Sequence, residues 1–296
     1  MILTRGKDIA LNKQLQFKEK LGITTSGEHN GIMYEHILSN EDALKGANFY
    51  CYDDIDEWES LQKWAINDKR KLNFASNGLK NMLRSEHIPY NIFYPFEKLR
   101  KNNPEVLCKL LGEILKCDVE KVNEIRVEYA GNVDKNKLLN DNTSFDAYIG
   151  FQSCGESCGA GFELKYTEGS YPYGKSELEN LNNESSLYWE TAKVSNMFIL
   201  NSENKKQLIS KNLKQFWRNH LLGIKMVQNK MLEKFYSVHL FPKQNTYQQF
   251  YAENYLKTIE DSHKQYFTPF TYEDLIGVGE KVEIKEKWLA YFKNRY

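Results

Sequence analysis

The 296-residue chain reads as an α/β domain. Three observations predict that class. Three segments in the middle of the chain alternate apolar and polar residues with a period of two, the mark of strands with two unlike faces. A fourth, Phe235 to Phe241, is an almost continuous apolar run, as expected of a strand buried on both sides. Stretches with apolar residues three and four apart stand before, between and after these segments, which is the periodicity of amphipathic helices.

The first seventy or so residues are polar and carry few periodic signals. Within them Asp54 to Trp64 reads as a helix with Trp58, Leu61 and Trp64 on one side. Asn77 to His87 places Leu79, Met82 and Leu83 at helical spacing, and Pro89 should end or kink that helix. Pro104 suits the first turn of another, carrying Val106, Leu107, Leu110, Leu111, Ile114 and Leu115. From Asn123 to Ala130, Ile125, Val127 and Tyr129 alternate with Glu124, Arg126 and Glu128, which predicts a strand.

In the next strand Phe145, Ala147, Ile149 and Phe151 alternate with Asp146, Tyr148 and Gly150. In the one after it Phe162, Leu164 and Tyr166 alternate with Glu163, Lys165 and Thr167. The Gly- and Ser-rich stretch between them, Gln152 to Ala160, reads as a hairpin connection. A polar stretch then leads to a long helix from about Asn204 to Lys230, with Ile209, Leu213, Phe216, His220, Ile224 and Val227 in one stripe. Pro242 closes the apolar strand. Helical segments from Thr246 to His263 and near Trp288 complete the chain. One domain is expected over 1–296, with a core over about 77–243, an N-terminal elaboration over 1–76 and a C-terminal helical region over 244–296.

Lys plus Arg equals Asp plus Glu, at 40 each, so global charge neither points to a polyanion nor excludes one. No run of about 18 apolar residues predicts a membrane span, and the N-terminal residues lack the apolar core of a signal peptide. The five cysteines are an odd, scattered set. Only Cys154 and Cys158 lie close together, without the further Cys or His that zinc would need nearby. A cytoplasmic protein with reduced thiols is the expectation.

The chemistry concentrates between Ser144 and Glu168. Folding the hairpin about Gly155 brings Asp146 near Glu163 and Lys165 on one sheet face. Two carboxylates and an ammonium then converge on an otherwise apolar surface, an arrangement suited to a divalent metal and an activated water. Acid-x-Lys triplets also occur at Glu203 to Lys205, at a helix start, and at Glu283 to Lys285, so the triplet alone means little. Only Glu163-Leu164-Lys165 follows a strand bearing an Asp on the matching face. The bland alternative is a solvated strand face. Against it, an Asp inside a strand of Phe, Ala, Tyr, Ile and Gly needs a partner or a metal.

These residues resemble the PD-(D/E)xK nuclease superfamily, the fold of many restriction endonucleases. The segment Phe-Glu-Leu-Lys-Tyr-Thr-Glu, followed by Gln215-Phe216-Trp217-Arg218-Asn219-His220, is more narrowly similar to a group of bacterial restriction endonucleases within it. The resemblance implies a restriction-endonuclease-like core of order α-β-β-β-α-β, a mixed central sheet flanked by helices. Asp146 takes the place of the motif Asp, Glu163 that of the acid and Lys165 that of the lysine. Phe145 stands where the motif has Pro. The implied activity is hydrolysis of phosphodiester bonds, with DNA as the expected substrate and Mg²⁺, or Mn²⁺ as its substitute, as the cofactor. Asp146, Glu163 and the Leu164 backbone carbonyl would hold the ion. Glu86, expected at the end of an upstream helix, is a candidate extra carboxylate. Gln215 and Arg218 are candidate substrate contacts, each with a solvated helix face as its alternative. His220, on the apolar stripe, reads first as a core histidine. Lys69-Arg70-Lys71 and Lys98-Leu99-Arg100-Lys101 are basic clusters that read first as solvated faces. Tyr166, Tyr171 and Tyr173 are candidates either for stacking on bases or for the core. A homodimer that cuts two strands is left open. So is a protein that keeps the fold as a nucleic-acid-binding or structural module without catalysis.

Overall fold

The structure, a computed structural model, describes residues 3–50, 52, 54–66, 72–285 and 287–296. Seven strands are described: β1 Gly27–His29, β2 Ile32–Tyr34, β3 Lys121–Tyr129, β4 Phe145–Ser153, β5 Glu156–Leu164, β6 Lys234–Phe241 and β7 Phe267–Thr271. β1 and β2 form a small hairpin of their own about Asn30 and Gly31, both left-handed, as an Asn-Gly turn requires. The other five form one mixed sheet in the order β3-β4-β5-β6-β7. β3, β4 and β5 are antiparallel neighbours, whereas β6 runs parallel to β5 and β7 parallel to β6. Parallel neighbours need a crossover. The helices Lys175–Asn182, Leu187–Ser195, Ser202–Leu208 and Lys214–Gln228 intervene between β5 and β6, and Thr246–Leu256 between β6 and β7.

Ala147, Ile149 and Phe151 of β4 and Phe162 and Leu164 of β5 share a core with the helices Ile88–Asn102 and Pro104–Leu115. Tyr148 and Phe235 lie in a second core with the Lys214–Gln228 helix. That helix comes close because Gly223 has no side chain; a Cβ there would sit 2.1 Å from the Phe235 ring.

Several expectations need correction. The β4–β5 connection is two residues, Cys154 and Gly155, both left-handed, with strand pairing up to Ser153↔Glu156. The small residues that read as loop are strand residues beneath large rings. A Cβ on Gly159 would meet the Tyr148 hydroxyl at 2.7 Å. Next to them, Gly161 leaves room in the same way, since a Cβ there would meet Phe145 at 2.5 Å. The long helix is two, Ser202–Leu208 and Lys214–Gln228. Ser210 breaks it, as a residue whose side chain competes for backbone groups. The Ser210 hydroxyl accepts the Leu213 N–H at 3.3 Å, and the Tyr173 hydroxyl donates to the Ile209 carbonyl at 2.9 Å. The Asn77 to His87 helix stops at Lys80, where Asn81 turns extended, and Pro89 opens the Ile88–Asn102 helix instead of ending one. The C-terminal region is not all helical. After Leu256 it supplies β7, whose Pro269 is tolerated because the strand is at the sheet's edge.

Among the described residues no helix is long and apolar enough to cross a membrane. The Lys69 to Lys71 cluster lies outside the described residues. The cations of the other cluster are paired, Lys98 with Glu57 and Arg100 and Lys101 with Glu97.

Candidate active site

Asp146 stands where the β4–β5 ladder stops. Backbone pairing reaches Ala147↔Phe162 and no further. Opposite, on β3, Glu128 takes a left-handed φ of 52°. Beyond it Tyr129 and Phe145 join the core under the Lys214–Gln228 helix, although Val127 and Ala147 belong to the other core. Residues two apart in a regular strand share a face, so the expected alternation of Phe145 with Ala147 breaks here, as it does at bulges beside many sites. With the ladder ended, the Leu164 N–H donates to Asp146 Oδ2 at 2.6 Å.

Glu163 and Lys165 face the Lys214–Gln228 helix and are nearly sealed, their side chains 6% and 4% exposed. Glu163 accepts from three donors: Lys165 Nζ and Gln215 Nε2 on Oε1, and Asn219 Nδ2 on Oε2. Gln215 and Asn219 are one helical turn apart, so both reach the same carboxylate. The Lys165 main chain is pinned, its N–H on the Leu240 carbonyl at 2.9 Å and its own carbonyl accepting from the Tyr272 hydroxyl at 2.8 Å.

The electrostatics follow from this crowding. Burial, then the Glu163 charge, push the Asp146 carboxyl well above the ordinary carboxylate range, and Lys165 offsets this only in part. Burial alone would lower Lys165. Glu163, Tyr171, Asp146 and Glu168 outweigh it and leave the ammonium above the ordinary lysine value. The site thus holds more negative charge than its one lysine balances, and a divalent cation between Asp146 and Glu163 would relieve the excess. Among the described residues no group of three or more His, Cys, Asp or Glu side chains forms a metal cluster. Two carboxylates and a carbonyl remain, a donor set that suits an ion which keeps several waters.

A family model of the PD-(D/E)XK nuclease superfamily matches residues 10–296, nearly the whole chain. The chain belongs to the PD-(D/E)XK nuclease superfamily. No curated protein and no solved structure matches it. Membership supports a nuclease hydrolase acting on nucleic acid, and superfamily nucleases typically use divalent metals. The mixed five-stranded sheet flanked by helices is consistent with the superfamily's core.

The other candidate residues fall around this candidate centre in different ways. Gln215 is engaged with Glu163. Glu86 sits in the turn before the Ile88–Asn102 helix, not at a helix end, and its carboxylate pairs with Arg84 at 2.6 Å. Arg218 is held by Glu177 at 2.5 Å, Asp141 at 3.1 Å and the Thr143 hydroxyl at 2.7 Å. His220 is fully buried among Phe198, Phe235, Tyr255 and Phe267, its Nδ1 3.1 Å from the Tyr255 hydroxyl. Tyr166 is core, while Tyr171 and Tyr173 are half-buried.

Three residues that sequence reasoning missed also belong to the surroundings of this centre. Asn219 was invisible as a polar residue on a helix, although its spacing from Gln215 was a usable signal. Glu168 is buried and accepts the Ser85 N–H at 2.6 Å and the Tyr166 N–H at 2.8 Å, which ties the end of β5 to the upstream loop. His239, paired with Glu163 across the β5–β6 register, is buried and kept neutral, its pKa pushed down to about 3 by burial and by Lys165.

Proposed function

We propose that the protein is a Mg²⁺-dependent endonuclease that hydrolyses phosphodiester bonds in DNA, a restriction-type activity in a cytoplasmic setting. The observation that carries this reading is the convergence of Asp146, Glu163 and Lys165 at the open end of the β4–β5 ladder, within a chain of this superfamily. The free thiols of Cys108, Cys117, Cys154 and Cys158 fit a reducing compartment.

Asp146, Glu163 and the Leu164 carbonyl would hold the ion. Within an extended strand the N–H and C=O of one residue point to the same edge, so the Leu164 carbonyl faces the side from which Asp146 takes its N–H. When bound, the metal supplies Lewis-acid stabilisation of the phosphate charge and a more acidic water. Lys165, held as an ammonium, is suited to orient that water and to neutralise charge on the phosphate. Gln215 and Asn219 keep Glu163 in one orientation. Arg218 would contact the substrate backbone.

Nicking of supercoiled plasmid with Mg²⁺ or Mn²⁺ tests the reading. Lys165→Ala should lower the rate about 10²–10⁴-fold. A wild type that nicks no DNA or RNA under any metal would leave a nucleic-acid-binding module as the better account. Sedimentation with and without duplex decides whether two copies assemble to cut both strands.

A further inference from the structure

The segment 170–182, between β5 and the Leu187–Ser195 helix, lies across the candidate site as a strap. The Tyr171 ring centroid is 5.1 Å from Lys165 Nζ and 6.0 Å from the Arg84 guanidinium carbon. The Pro172 carbonyl accepts from Lys214 Nζ at 3.0 Å, and the Tyr173 ring lies 4.7 Å from the same ammonium. Glu177 closes the strap. Its carboxylate accepts from Lys214 at 2.6 Å, from Arg218 at 2.5 Å and from the Gly174 N–H at 3.0 Å. Between Tyr171 and Glu177 the strap therefore presents two aromatic rings and one carboxylate to Arg84, Lys165, Lys214 and Arg218.

Lys214 and Arg218 flank Gln215 and Asn219 on the helix that holds Glu163. With the strap in place, the Lys214 side chain is 4% exposed. A nucleic-acid strand offers the same chemistry that the strap does. Its phosphates pair with Lys and Arg, and its bases give flat faces to rings and cations.

We propose that the strap is an internal stand-in for nucleic acid. Glu177 fills a phosphate site made by Lys214 and Arg218, and Tyr171 and Tyr173 fill the neighbouring base positions. The site stays closed until a strand displaces them. Stripping the partner from a buried charge is costly, whereas exchanging one anion for another leaves neither cation bare. Asp141 and Thr143 hold Arg218 from outside the strap, so the guanidinium stays aimed when Glu177 leaves. The proposal rests on the nuclease reading above and adds to it where the substrate backbone lies and what guards the site.

The test is fluorescence anisotropy with a fluorescein-labelled single-stranded DNA, in EDTA so that no cleavage occurs. Glu177→Gln and, separately, the double change Tyr171→Ala with Tyr173→Ala should each bind about tenfold tighter, because the closed population no longer competes. Lys214→Gln with Arg218→Gln should bind more weakly, and its salt dependence should lose roughly 1.4 units of log–log slope for two lost phosphate contacts. If Glu177→Gln melts early, the tyrosine pair decides alone, since it leaves the ion pairs intact. Folded strap variants with unchanged or weaker affinity, in a protein whose wild type nicks plasmid, overturn the strap proposal and leave the nuclease reading standing. No binding and no nicking by wild type and variants alike overturns both.

Discussion

Arg295 and Glu163 are both charged side chains sealed from water, yet their surroundings differ in kind. Arg295 is fully buried near the end of the Lys287–Arg295 helix. Each of its five N–H groups has an acceptor: Gln14 Oε1, the Asn48 carbonyl, the Tyr291 hydroxyl, Asn48 Oδ1 and His87 Nε2. No carboxylate pairs with it among the described residues, and the rings of Phe17 and Tyr296 lie 4.6 and 5.1 Å away. The charge is balanced by neutral dipoles and aromatic faces and has no reason to move. Glu163 instead shares its site with a second carboxylate and a single lysine, and burial together with the Glu163 charge pushes the Asp146 pKa well above the ordinary carboxylate range. A saturated buried charge stabilises a fold. An unbalanced one is a place where a cation or substrate can act.

Four experiments break or sharpen that contrast. The largest effect is expected for Asp146→Asn. Cleavage should fall at least about 10²-fold. The metal-free protein should melt at the wild-type temperature or above, because the amide still accepts the Leu164 N–H and replaces a buried carboxyl whose charged form is costly beside Glu163. Calorimetry should show weaker Mg²⁺ binding. A variant that melts much lower would mean that Asp146 is structural, as Arg295 is. Arg295→Ala is the converse. It strands buried acceptors and should cost about 3–5 kcal/mol in urea unfolding, while the molecules still folded keep full specific activity. Lost activity without lost stability would erase the distinction.

Asn219→Ala removes one donor from Glu163 without touching its charge. The metal concentration needed for half-maximal nicking should rise about 10–100-fold, the usual cost of losing a group that orients a ligand. An unchanged metal titration would show that Gln215 and Lys165 suffice. The smallest effect concerns pH. His220 and His239 are held neutral, their pKa values pushed down to about 3, chiefly by burial. The unfolded chain binds protons that the folded one refuses between pH 6.5 and about 3. Each histidine therefore contributes stability that is complete above pH 6.5 and is lost as the pH falls, by up to roughly 1.4 kcal/mol per pH unit. His220→Phe should flatten that slope in urea midpoints, and an unchanged slope would mean that the imidazole is protonated in place.

The candidate triad was legible because strands declare their faces. Alternation singled out Asp146, Glu163 and Lys165 as candidates, and Pro104, Pro242 and the apolar run of β6 marked real boundaries. Other features were hidden for identifiable reasons. Gly159 looked like loop because its role is to leave room for Tyr148. β7 was hidden by Pro269 and by its five-residue length. The strap read as a featureless polar stretch, since Tyr171, Tyr173 and Glu177 have meaning only against the cations they cover.

The sequence by itself determined the α/β class, most of the sheet and the three residues expected to do chemistry, because side-chain direction follows locally from a period of 2 in strands and 3.6 in helices. Tertiary structure alone decided that Asn219 joins Gln215 on Glu163, that Arg218 is held by Glu177 and Asp141, and that the alternation breaks at Asp146. Those contacts depend on how a helix settles on a sheet and where a ladder ends. Such distances are set by packing between elements far apart in the chain, on which no local pattern bears.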